Sequence, residues 1–560
     1  MPIPRRTFLG LRSLALCSSI GLIFTPQALA ENSAPPLNDR SLYQSAQQEL
    51  NELETQIRQQ RLSKQKYQAT AAEVDTHAYS QTCLPFDEIE LRGITLIPTE
   101  PLLPPLGECI NEGYLNQLSK NVTAAYLKAG YLHNPFQFQS DGSRRLIMQV
   151  VEGKLAKISG EDQIINAEML FPHLIGKPLN VRDLDQGLDQ TNTLLGSTVT
   201  VDVYPDSQGN IELALQNTYR QRLSGRLSVD NYGNKSTGEW IGRGYVNIDS
   251  PFGLSDSLSL SGSHSLRSGF YPYNRSVALY YSVPYGYWRF STFGSISQYK
   301  ADLALNRTTL PQHGRTWQWG GRVENVFHRG TNSISTAYVQ FDHINAQNGL
   351  ADVIYEIQSP TITSGTIGLN HLQLRENGLI LTDMSYEYGK PSYRNNLERF
   401  YKPYHKFNVS LDYIQYRHFF GQDFRQHHRL QGQYSRQFLP SLKQQDLLDR
   451  YNVRGFRHFS SSTEKALSLQ NTLFWVKQWE NWQIEPYVGI DMGIQRNVST
   501  NHAQEYTPSH STKAISGVIG LQLQLKNRYK LNFEWAKGKH FASNEQRKSQ
   551  QFSTNVSVQF

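Results

Sequence analysis

From Arg222 to Phe560 the chain alternates apolar and polar positions in segments of about ten residues separated by turns, as strands do when one face meets hydrocarbon and the other meets water. The last nine residues are the clearest case. Phe552, Thr554, Val556, Val558 and Phe560 share one face, and Ser553, Asn555, Ser557 and Gln559 share the other. Ile519, Leu521, Leu523 and Leu525 repeat the pattern, as do Tyr529, Leu531, Phe533 and Trp535. Strand starts fall near 222, 238, 255, 272, 287, 314, 332, 363, 379, 403, 425, 465, 482, 513, 528 and 550. They make about sixteen strands, the even count of a bacterial membrane barrel. Aromatic groups at Tyr271 and Tyr273, Tyr280 and Tyr281, and Tyr285, Tyr287 and Trp288 read as interfacial girdles.

The pattern before residue 220 is different. Phe86 to Arg92 alternates as a strand and stops at Gly93. Leu115, Leu118, Val122, Ala125 and Ala129 then follow helical spacing up to Gly130, and Arg145 to Val151 returns as a strand. A second module repeats the order from Ala156. Its helix runs from about Arg182 to Leu195, with Asn180 as cap and Leu184, Leu188 and Leu195 inward, and strands follow near Thr198 to Tyr204 and Asn210 to Gln216. Such paired modules have sheet edges that can accept an added strand. Further upstream, Leu42, Ala46, Leu50, Leu53 and Ile57 give residues 38–66 the narrow apolar stripe of a mostly wet helix. It would suit a hydrated cavity, and equally a solvated arm. Residues 67–82 read as a linker.

Composition sharpens the division. Of the 64 aromatic residues, 14 precede residue 221, and all eight Trp follow it. Arg5, Arg6 and Arg12 flank the apolar stretch Leu9 to Phe24, and Ala28-Leu29-Ala30 completes an export signal over residues 1–30. No later apolar run is long enough for a spanning helix, which leaves a barrel as the membrane form. Removing the three signal arginines from 55 basic residues leaves 52 against 48 acids, too small an excess to indicate nucleic acid. With Cys17 cleaved off, Cys83 and Cys109 are the two cysteines entering an oxidising compartment; a disulfide is the economical reading, and two buried thiols the alternative. Catalytic, metal-binding and nucleotide-binding motifs are missing, so neither an enzyme nor a cofactor is expected.

The longest informative connection, 439–464, joins the eleventh strand to the twelfth and contains Val453-Arg454-Gly455-Phe456. Two strands on, Gly489-Ile490-Asp491-Met492-Gly493 alternates so that Ile490 and Met492 face lipid and Asp491 faces the lumen between glycines. A loop folded inward could pair Arg454 with Asp491.

These motifs resemble the outer-membrane transporters of two-partner secretion, the hemolysin secretion and activation family, in the superfamily that joins POTRA domains to a 16-strand barrel. Asp230-Asn231-x-Gly233 with Thr237-Gly238 at the barrel's opening, the segment Asn180 to Asn192, and the pair Cys83 and Cys109 carry the resemblance further. The Thr-Leu-Leu-Gly that follows Asn192 departs from it, since the family tends to have Arg-Leu-Pro-Ser there. The resemblance implies POTRA modules at 83–155 and 156–220, a barrel at 221–560, residues 38–66 as a plug helix in the lumen, and Phe560 as the signal read by the barrel-assembly machinery. It further implies a monomer in the outer membrane, embedded in lipid with its POTRA domains in the periplasm. There it exports one β-helical exoprotein: a hemolysin, an adhesin or a contact-dependent growth-inhibition toxin. A barrel-assembly factor of the same superfamily is the alternative.

Overall fold

The computed structural model describes residues 82–560 apart from 106–108, 220, 268–270, 305–307, 394–401, 457–461, 499, 503–504, 508, 527 and 543–544. The expected signal peptide, plug helix and linker lie outside the described residues, save Thr82 at the linker's end.

Two small α/β modules come first and share one topology. In the first, β1 (Glu88–Arg92), β2 (Phe136–Ser140) and β3 (Arg145–Val150) form a sheet ordered β1-β3-β2, with the outer pair-up β1–β3 parallel. Helix α1 (Glu112–Ala129) covers the sheet; Asn111 caps its start, and Gly130 ends it in the left-handed region. Leu118, Val122, Tyr126 and Met148 form its core, and each aliphatic side chain so buried contributes about 1.5–3 kcal/mol. Cys83 and Cys109 are bridged. The loop they close is held to this core by Glu152, which accepts hydrogen bonds from the Leu96 amide at 2.8 Å and the Tyr126 hydroxyl at 2.8 Å.

The second module repeats the order with β4 (Leu155–Ser159), α2 (Ala167–Leu170), α3 (Val181–Thr191), β5 (Ser197–Pro205) and β6 (Ile211–Tyr219), its sheet ordered β4-β6-β5. Leu194, rather than the expected Leu195, is the leucine fully buried after α3, because the helix ends at Thr191 and the chain turns there. Asn180 caps α3 through the Arg182 amide at 3.0 Å and also donates to the Ala129 carbonyl at 3.0 Å, joining the two modules end to end.

Sixteen antiparallel strands then close a barrel, from Leu223–Asp230 to Glu545–Gln559, the last pairing with the first. Their pleat follows the sequence alternation: Val488, Ile490 and Met492 are exposed on the outside while Tyr487, Asp491 and Gln495 are buried within. A barrel of this size leaves an aqueous interior unless something fills it. Tyr280 corrects one girdle assignment. It lies on the face of Ser276, Ala278 and Ser282, points inward, and donates to Ser291.

Candidate functional site

The segment between the eleventh strand (Gln422–Tyr434) and the twelfth (Lys465–Trp479) folds into the lumen because it is apolar where it touches the wall. Leu439 and Leu442 pack with Ile344, Ala346, Ile362 and Tyr404, while Leu447, Leu448, Val453 and Phe456 pack with Ala514. A short pairing of Gln445 with Thr463 and Asp446 with Ser462 ties the segment's ends together.

Arg454 stands at its tip. Its backbone amide and Nε both donate to Asp491 Oδ2, at 3.1 and 2.8 Å, and Nη2 donates to Oδ1 at 2.7 Å. This fork-on-carboxylate geometry is the strongest that a guanidinium makes. The remaining donors reach Glu534 Oε2 and Thr472 Oγ1, each at 3.0 Å. Asp491 has no exposed surface. Burial works against the Arg454 charge, but Asp491 and then Glu534 outweigh it and hold the guanidinium pKa above its ordinary value. Arg450, stacked 3.5 Å from the Tyr232 ring centroid, brings a second positive charge near Glu534.

The glycines make room for this contact. A Cβ on Gly489 would lie 2.7 Å from Arg454 Nη2, and one on Gly493 would lie 2.4 Å from Leu447. Gly455 has φ +96°, which favours glycine, and it turns the chain so that Phe456 reaches Gly538, where a Cβ would stand 2.3 Å from the ring.

A second anchor holds the loop to the wall and was not read from the sequence. Lys443 Nζ lies 2.7 Å from Glu387 Oε1, and Glu387 also holds Lys406 at 2.9 Å and accepts from Tyr404 at 2.7 Å. The same alternation argument that turned Asp491 inward turns Glu387 inward, but no motif marks its partner.

The second module docks on the barrel's mouth. Arg329 Nη1 donates to Gln186 at 2.8 Å and lies 3.3 Å from Asp189, with both ionic side chains buried. Gln190 binds the Gly286 carbonyl, and Arg289 binds Gln190. Asp249 accepts from the amides of Leu195 and Gly196, so the departing Thr-Leu-Leu-Gly segment is a barrel contact. Tyr285 and Tyr287, expected in a lipid girdle, instead meet His173 and Asp183 of this module, because they occupy the turn it sits on.

At the closure, Phe560 and Gly225 exchange backbone hydrogen bonds at 3.0 and 2.9 Å, and the Phe560 ring fills the space of a Gly225 Cβ. Asp230 pairs with Arg243, and Asn231 holds the Thr554 amide and Phe552 carbonyl.

The barrel and the paired modules agree with what the chain resembles among known proteins. Residues 209–523 match the haemolysin secretion/activation protein ShlB/FhaC/HecB, residues 84–153 an ShlB-type POTRA domain, and residues 154–205 a POTRA domain. The chain belongs to this family. It is 34% identical over 463 residues to the hemolysin transporter protein ShlB of Serratia marcescens, covering 81% of this chain and 83% of that one. It is 31% identical over 535 residues to HpmB of Proteus mirabilis, covering 92% and 93%. In fold it superposes on CdiB from Escherichia coli with a TM-score of 0.79 at 22% identity, over 95% of this chain and 100% of that one.

Proposed function

We propose that this protein is an outer-membrane pore that recognises one large β-helical exoprotein through its POTRA pair and passes it from periplasm to cell surface by two-partner secretion. The observation that carries the reading is the luminal loop held by the buried Arg454–Asp491 pair in a barrel whose mouth bears the docked second module of a POTRA pair. Hemolysin transporters and CdiB outer-membrane transporters among the relatives support the cargo class. The chain works as a monomer, with Phe560 and the closing strand presented to the barrel-assembly machinery during insertion. Folding of the cargo outside supplies the drive, since a process that removes one state pulls an equilibrium without nucleotide hydrolysis.

Arg454→Ala, at wild-type membrane levels, is expected to cut exoprotein secretion while the barrel still assembles. Removing one partner of a buried pair costs about 3–5 kcal/mol, enough to displace the loop. Equal secretion by variant and wild type would remove the loop from the mechanism.

Residues 38–66 plug the lumen reversibly in this reading. A helix about 10–12 Å across fits such a lumen, and the polarity of the segment suits a wet one. Deleting it is expected to give larger or longer openings in single-channel recordings. Unchanged conductance would place the segment outside the barrel.

A further inference from the structure

The periplasmic rim is divided in two. One half, at Ser250 to Asp256, Gly286, Tyr287 and Arg329, is covered by the second POTRA module, and its inward arginines 289 and 329 are spent on that contact. The other half runs from the ninth strand (Gly378–Ser392) to the fifteenth (Tyr529–Ala542) and carries rings and cations on its outer surface.

Strand register settles the direction. Lys477 pairs with Ile484, and Ile484 shares the outward face of Val488 and Ile490. Trp475 pairs with Phe424, which pairs in turn with Arg417, so these three also face out. Lys477 Nζ lies 3.9 Å from the Trp475 ring centroid, Arg417 5.9 Å from that of Phe419, and Arg528 5.7 Å from that of Tyr529. Trp479 is 66% exposed, and Phe420, at the hairpin tip with φ +51°, is fully exposed.

An aromatic in the left-handed region is unfavourable, and this one packs on nothing in the molecule. Among the described residues no carboxylate lies within ion-pair distance of Arg417, Lys477 or Arg528; the nearby Asp423 is taken by His418 at 2.7 Å, and Arg417 donates to Gln415. Cations stacked beside rings at the edge of a hydrocarbon band, without counter-ions, fit a lipid phosphate whose acyl chains run along the aromatic surface.

We propose that Arg417, Lys477 and Arg528, with Phe419, Trp475 and Trp479, bind acidic phospholipid headgroups of the periplasmic leaflet and set the barrel's depth and tilt opposite the POTRA dock. The occupant is lipid rather than exoprotein, because Arg417, Phe419, Trp475, Lys477 and Trp479 continue the lipid-facing surface and point away from the lumen, and Arg528, exposed in the turn before the fifteenth strand, lies beside the outward Tyr529. The inference does not depend on the secretion reading.

The test is native mass spectrometry of the full chain, released from nanodiscs of equimolar phosphatidylglycerol and phosphatidylethanolamine. Wild type is expected to keep phosphatidylglycerol in excess. Arg417→Gln, Lys477→Gln and Arg528→Gln are expected to lower that excess by about fivefold each, from roughly 1 kcal/mol per cation near an anionic surface. Heat-modifiable migration on gels verifies that the variants are folded barrels. A wild type that keeps the two lipids in their input ratio overturns the proposal without any variant, and so do folded variants that keep the wild-type excess.

Discussion

At the residue scale the loop's hold on the wall depends on a few buried charges, and the loop also carries a partly buried carboxyl, Asp449, whose pKa is raised. Asp449 accepts from the amides of Tyr451 and Asn452 at 2.9 and 2.7 Å. Burial, and then the neighbouring Asp446, push its pKa up to about 7. A carboxyl raised in the docked loop and ordinary in a released one favours docking fully below its ordinary range, and that contribution is lost as pH rises through about 7. Spontaneous channel openings are therefore expected to become more frequent between about pH 4 and pH 7. Asp449→Asn, which keeps an acceptor for both amides, is expected to flatten the slope; an equal slope in variant and wild type would exclude Asp449 as its source. Arg454 and Asp491 were legible in the sequence because glycines bracket an inward acid on one strand and an arginine stands in the one long connection that can reach it. Lys443 with Glu387 and Arg454 with Glu534 were not, since nothing local distinguishes an inward acid with a distant partner from one that faces water.

At the scale of elements, strands were easier to read than helices. The barrel wall meets lipid on one side and water on the other, so its alternation is nearly unbroken and strand starts could be placed within a few residues. Helix α3 has two buried faces of different character: Leu184 and Gly187 turn to the module's own core, while Gln186, Asp189 and Gln190 turn to the barrel. A polar helical stripe is usually a solvated face, which is why its docking role stayed hidden. The latch has a measurable consequence. Arg329→Ala removes the buried Arg329–Asp189 ion pair and the hydrogen bond to Gln186, a loss of about 3–5 kcal/mol for an interior pair. Spin labels on the second POTRA module and the barrel are expected to give a broadened distance distribution in the variant and a narrow one in wild type. A narrow distribution in both would mean that the contacts of Asp249, Gln190 and Asn166 hold the module unaided.

At the scale of the whole molecule, the closure between last and first strands is the shortest junction in the wall. It has five register pairs, Asn555 to Gln559 against Asp230 to Arg226, where the neighbouring pair of strands has fourteen. Asn231 extends it by side-chain bonds to Thr554 and Phe552, and the backbone exchange between Phe560 and Gly225 closes its other end. A short seam could let the wall part sideways, whereas the loop and its anchors give a route straight up the lumen once they move. Ser228 and Ser557 face each other across the seam in register, so Ser228→Cys with Ser557→Cys can be joined by an oxidant after assembly. If cargo travels through the lumen, the crosslinked barrel is expected to secrete at the wild-type rate, because the fixed strands are wall and the moving parts lie inside it. Secretion that stops on oxidation and returns on reduction would show instead that the wall itself opens, and the inward loop would then act as a brace for the seam.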